Sequence, residues 1–218
     1  ETPMSYKNVC VAGGGVLGSQ IAFQAAYCGF DVTIWLRSEG SIGRTQPKID
    51  HVREEYIAAI EDMADGMGEW CPGIADSDKP FDKQTALDAV ERAYSSLKLE
   101  LDLAAAVSDA DLVIESMAED TQAKIEFYQK LAPVLPAKTV VVTNSSTLLP
   151  STFAKYTGRP EKYLSLHFAN SIWKNNMTEV MAQAQTDKRY FDELVEFATQ
   201  IRMLALPVNK EKNGYLLN

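Results

Sequence analysis

Asn8-Val9-Cys10-Val11-Ala12-Gly13-Gly14-Gly15-Val16-Leu17-Gly18 decides the fold of this 218-residue chain. A short apolar run leads into glycines at the G-x-G-x-x-G positions, Gly13, Gly15 and Gly18. Helical periodicity follows from Val16 to Cys28, with Leu17, Ile21, Ala22, Ala25 and Ala26 as its apolar members and Gly29 placed to end it. Asp31 to Leu36 then reads as a second strand. Strand, glycine turn, helix and strand in this order form the context that a dinucleotide fingerprint requires. The first glycine permits the tight turn, the second lets backbone approach a pyrophosphate, and the third lets helix pack close to strand. Phosphate oxygens then meet free N–H groups at a helix N-terminus. Gly13, Gly15, Val16, Leu17 and Gly18 are thus expected to bind the cofactor.

Outward from this unit the alternation continues. Residues 38–47 are polar and turn-rich, a helix is expected from Pro47 to about Met63, and residues 64–80 read as a long loop. A second helix covers about 82–95, Lys98 to Leu101 is a short strand, and Asp102 to Val107 is a helical turn. Further strands are expected at Asp111–Glu115, Thr139–Thr143, Tyr163–Phe168, Glu179–Ala182 and Leu204–Val208, with helices over 120–134 and 187–203 and a short one opened by Pro150. Strands alternating with helices imply an α/β fold of Rossmann type: a doubly wound, mostly parallel sheet with helices on both faces. Residues 1–208 form the dinucleotide-binding domain on this reading, with a helical insertion at about 44–95. Ligands of such sheets sit outside the C-terminal strand ends, here Gly13, Leu36, Glu115, Asn144 and His167.

Composition narrows the partners. The net charge of −9 argues against nucleic acid and anionic membrane surfaces. No apolar run approaches the length of a membrane span, and Glu-Thr-Pro-Met at the start has neither the basic residues nor the apolar core of a secretory leader. Three cysteines, Cys10, Cys28 and Cys71, lack metal-ligand spacing; no metal is expected, and a reducing cytoplasm suits them.

Chemistry gathers at the predicted strand ends. Of the two histidines, His51 lies on a surface helix and reads as inert, whereas His167 ends an apolar strand. A lone histidine there is more often a satisfied core group than a base. Its neighbours alter that balance: Asn144-Ser145-Ser146 ends the preceding strand, and Glu179 is the one acid between Lys162 and Asp187. A carboxylate beside an imidazole fixes its tautomer and stabilises the protonated ring. Such a pair facing a hydroxyl and a nicotinamide is an apparatus for moving a proton and a hydride.

Val11–Ala22, Asp109–Glu115, Thr143–Ser146, His167–Asn170, Glu179–Met181 and Gly214–Asn218 occur in an order that resembles the 3-hydroxyacyl-CoA dehydrogenase family. Within it the chain looks most like the diketoreductase branch, through Thr143–Ser151 and His167–Asn176. The steps of 21 residues from Ser146 to His167 and 12 from His167 to Glu179 fit the family's catalytic set. The resemblance implies an NAD(P)-dependent oxidoreductase interconverting 3-hydroxy and 3-keto acyl groups, on a small-molecule substrate that is a CoA thioester or a diketo compound. It implies His167 as general base, Glu179 as its orienting partner, Ser146 and Asn218 on the substrate oxygen, and Glu119, Lys124, Asn144 and Asn170 with the cofactor. It also implies a C-terminal helical domain, absent from this chain, to which residues 209–218 begin the connection and with which a homodimer is expected. A cofactor-binding or interaction module with little catalysis is the alternative while that domain is missing. A flavin or methyl-donor protein would explain the glycines but not the His/Glu/Ser group.

Two departures from the family pattern bear on chemistry. Asn170 is followed by Ser171 where proline is usual, and Leu36 stands where an acid usually ends the second strand. That acid bonds a ribose 2′-hydroxyl and repels a 2′-phosphate. With Leu36 followed by Arg37 and Ser38, all three expected at the cofactor, the preference leans from NAD toward NADP.

Overall fold

A computed structural model describes residues 6–208. Eight strands form one sheet in the order β3-β2-β1-β4-β5-β6-β7-β8. They are β1 Asn8–Ala12, β2 Asp31–Trp35, β3 Lys98–Glu100, β4 Leu112–Glu115, β5 Val140–Thr143, β6 Tyr163–Phe168, β7 Met177–Ala182 and β8 Leu204–Val208. Strands β1 to β6 run parallel to one another; β7 is antiparallel to β6, and β8 is parallel to β7. The helices are α1 Val16–Tyr27, α2 Glu39–Ala64, α3 Lys83–Ser96, α4 Leu103–Val107, α5 Thr121–Leu131 and α6 Lys188–Gln200.

Both faces of the sheet are covered, which is why β1, β4 and β5 read as continuous apolar runs rather than alternating ones. Val9, Val11, Ile34, Ile114 and Val142 pack toward α1, α2, α3 and α6. Cys10, Ala12, Val113 and Val141 pack on the opposite side with Val107 of α4 and Phe127, Tyr128 and Leu131 of α5. The strand order turns around at β1, which lies between β2 and β4. That switch point opens a crevice beyond the C-terminal ends of β1 and β4.

The main departure from expectation is α2, which begins at Glu39 and carries Pro47 in its interior. Gly40, Gly43 and Pro47 look like turn residues by propensity, but contacts override propensity. Ser38 caps the first turn by accepting from the Ser41 N–H at 3.3 Å, and buried Thr45 donates to the Gly14 carbonyl at 3.1 Å. Residues 65–82 hold no helix or strand, as expected of a loop, yet they are anchored. Gln24 of α1 donates from Nε2 to the carbonyls of Gly73 and Ile201. Met177 and Thr178 belong to β7, so that strand begins two residues before the apolar run. Residues 209–218, with Asn218, lie outside the described residues.

Candidate active site

The glycine turn is built for close approach. Gly13 has φ +117, and a Cβ there would stand 2.5 Å from the Ser116 carbonyl oxygen at the β4 end. A Cβ on Gly18 would stand 2.3 Å from the Gly13 carbonyl oxygen, so its absence lets α1 lie against the turn. In front of Gly15 there is open space, and no side chain caps the start of α1. Bare backbone facing an uncapped helix start fits a dinucleotide pyrophosphate. Gly14, outside the glycine pattern, is also forced: a Cβ would lie 2.2 Å from Thr45 Oγ1 and 2.7 Å from Leu36 Cδ2.

A cleft of about 550 Å³ runs from this turn along the C-terminal strand ends. Gly13, Gly15, Leu17, Gly18, Leu36, Arg37, Glu119, Asn144, Ser146 and His167 all line it. Val16 is exposed at the start of α1 but is not among the lining residues. Leu36 is buried and Arg37 is exposed. Ser38, expected at the cofactor, instead serves as the cap of α2, and Ser41 replaces it on the cleft wall together with Arg44, Thr45 and Lys48. The spacing of 41, 44, 45 and 48 is one helix face. That signal was present in the sequence but was masked by the glycines and proline around it.

Lys124 also departs from expectation. It is fully buried and is absent from the cleft lining. Its Nζ lies 2.8 Å from both carboxylate oxygens of Glu115, itself fully buried at the end of β4. Glu115 accepts further bonds from the Met117 N–H, the Tyr128 hydroxyl and the Thr143 hydroxyl. A buried charge so completely bonded is a rigid support beneath the cleft. Lys124 also stands 3.6 Å from Glu119, which accepts from the hydroxyls of Ser145 and Thr147. Burial pushes the Glu119 carboxyl up, but those two hydroxyls and the Lys124 charge outweigh it and hold the group below its ordinary value.

His167 and Glu179 are directly opposed across the antiparallel β6–β7 pair and are both buried. Opposed residues of such a pair project from the same face. Burial holds the imidazole below its ordinary value, with the Glu119 charge opposing that shift. Asn144 Oδ1 accepts from the Phe168 N–H at 3.0 Å and so ties the ends of β5 and β6 together. Ser146 follows on the same edge and lines the cleft with His167. Asn170 points elsewhere: its Oδ1 accepts from Gln20, and it does not line the cleft. Ser171 has φ +56 and donates its N–H to Gln20 Oε1 at 2.8 Å. Proline, with its fixed negative φ and no N–H, does not fit that conformation. His51, on the outer side, pairs with Glu55 at 2.7 Å and is exposed. Among the described residues no group of three or more His, Cys, Asp or Glu side chains is placed to hold a metal ion.

The family model described as the NAD binding domain of 3-hydroxyacyl-CoA dehydrogenase matches residues 8–212. A mitochondrial hydroxyacyl-coenzyme A dehydrogenase of Rattus norvegicus is 28% identical over 97% of this chain and 62% of its own length. A 3-hydroxybutyryl-CoA dehydrogenase of Clostridioides difficile is 27% identical over 96% of this chain and 66% of its own. A solved diketoreductase, described for its dual catalysis of dicarbonyl compounds, is 39% identical with a TM-score of 0.84. That likeness covers 99% of this chain and 69% of the diketoreductase. The chain thus spans 62% to 66% of the length of these two curated relatives.

Proposed function

The chain belongs to the family of the 3-hydroxyacyl-CoA dehydrogenase NAD-binding domain, and from that premise we propose that it works in the interconversion of 3-hydroxy and 3-keto groups by hydride transfer. The observation that carries the proposal is the opposed, buried pair of His167 and Glu179, with His167 lining the same cleft as the glycine turn. When bound, a nicotinamide supplies the hydride chemistry. The chain's own residues hold the cofactor and handle the proton. His167, kept neutral by its burial, accepts the proton of the substrate hydroxyl as the alcohol is oxidised and returns it in the reverse direction. Glu179 orients the ring and stabilises its charged form. Ser146, which lines the same cleft, donates to the substrate oxygen, and the resemblance adds Asn218 to that task.

The cofactor on this reading leans toward NADP(H), because Leu36 removes the acid that repels a 2′-phosphate and Arg37 lies beside it on the cleft. The substrate is a small 3-keto or diketo compound, a class supported by the 39% likeness to a diketoreductase acting on dicarbonyl compounds. The test is turnover of a 3-keto substrate with NADH and NADPH side by side, in wild type and in His167→Gln. Unimpaired turnover in an active preparation of the variant would remove the proton-transfer assignment.

A further inference from the structure

Three bases line the cleft in a chain whose net charge is −9: Arg37, just after β2, and Arg44 and Lys48, one turn apart on α2. Among the described residues no carboxylate lies within ion-pair distance of any of them. The contrast along the same helix is direct, since Arg53 is paired with Glu91. Glu119 is the one acid among the described residues lining the cleft, and it is bonded to Ser145 and Thr147. Arg44 is held ready: its Nη2 donates to Ser41 Oγ at 3.0 Å, and Ser41 Oγ shares a 2.9 Å hydrogen bond with the Ser38 cap. The ribose nearest the end of the second strand is the one that a doubly wound sheet reads at its 2′ position. Planar guanidinium groups suit a doubly charged phosphate, which accepts several bonds at once.

Resting on the nicotinamide reading above, the geometry points to a clamp for a ribose phosphomonoester made by Arg37, Ser41, Arg44 and Lys48, in which the 2′-phosphate of NADP is the bound group. Arg44 and Ser41 determine the specificity, and Lys48, one helical turn further along the same face, adds charge. Thr45, between them, keeps that face against the glycine turn through its bond to the Gly14 carbonyl.

The chemistry of a ribose phosphomonoester also occurs in coenzyme A, at the 3′ position, so the probes separate the two sources. Calorimetric titration of the protein with 2′,5′-ADP, 3′,5′-ADP and 5′-ADP, and with NADPH and NADH, measures the phosphate's contribution. The expected result is 2′,5′-ADP binding at least about 10-fold tighter than either competitor, as charged hydrogen bonds imply. Arg44→Gln and Lys48→Gln should each cut the NADPH affinity by about 10-fold or more while changing NADH affinity little, and Arg53→Gln should change neither. An NADPH preference that survives both Arg44→Gln and Lys48→Gln overturns the clamp but leaves the cofactor preference standing. A wild-type preference for NADH, or equal affinity, overturns the clamp and the preference together while leaving hydride transfer untouched. Tighter binding of 3′,5′-ADP than of 2′,5′-ADP overturns the assignment in favour of a coenzyme A phosphate.

Discussion

His167 must be neutral to take a proton, and its place at the buried end of β6 favours that form. The acid limb of kcat/KM for alcohol oxidation is therefore expected below the ordinary imidazole value of 6.5, with loss of rate only as the pH falls through that depressed pKa. Stability follows the same sign. Below pH 6.5 the unfolded chain binds a proton that native His167 resists, so stability falls as the pH drops. Unfolding midpoints of wild type and His167→Gln between pH 7 and 5 should show the smaller slope in the variant. His167→Gln should also lower turnover by about 10²- to 10⁴-fold with cofactor affinity nearly intact, and Glu179→Gln should be nearly as severe. Near-normal rates in either variant would count against the dyad. At Lys124 the expectation concerns stability. Lys124→Met leaves a fully buried Glu115 carboxylate without its cation, a loss of about 3–5 kcal/mol by urea unfolding. The catalytic candidates were legible because His167 is one of two histidines and Glu179 is the one acid between Lys162 and Asp187, both on apolar strands. Lys124 and Ser38 were not, because sequence order does not say which way a side chain turns. One turns under the sheet edge toward Glu115, and the other caps a helix.

At the scale of elements, the alternation of strands and helices was readable because each strand is short, apolar and bounded by polar turns. The end of α2, expected near Met63, falls at Ala64, but its start was not readable. That start depends on the local Ser38 cap and on the Thr45 bond to the glycine turn, 31 residues earlier in the chain. Pro47 is tolerated inside the helix at a cost, since its ring removes one helical hydrogen bond. Pro47→Ala is thus expected to raise stability by about 1–2 kcal/mol, part of the interior-proline penalty being offset by the freer unfolded chain. Gly14→Ala tests the opposite kind of fit. The new Cβ meets Thr45 Oγ1 and Cγ2 at 2.2 and 2.7 Å, and overpacking of this sort costs about 1–3 kcal/mol. Thr45→Ala removes both of those atoms, so the double variant should recover a good part of the loss. Strict additivity in that cycle would show that α2 does not press on the turn.

For the whole molecule, the question is whether the substrate carries coenzyme A, and the placement of charge argues for a smaller compound. Residues 44–95 hold six bases and twelve acids, a balance of −6. The structure shows where several of those bases go. Arg44 and Lys48 face the cofactor cleft, Arg53 is paired with Glu91, Lys79 with Asp76, and Arg92 donates to the Tyr27 carbonyl. Among the described residues that leaves Lys83 as the base in this stretch without such an engagement, against acids exposed along α2 and α3. A nucleotide carrying several phosphate charges would meet repulsion over most of this surface. The acids also have a plain role in solvating the outer helix faces, which explains their presence but supplies no cation. Steady-state kinetics with acetoacetyl-CoA, the free 3-keto acid and a diketo ester should therefore give the thioester no advantage in kcat/KM. Raising the salt concentration should change the thioester rate little or raise it, because screening weakens repulsion. A much higher kcat/KM for the thioester that falls with added salt would mean that an attractive ionic contact to the nucleotide exists and that the acidic surface is not the face the substrate meets.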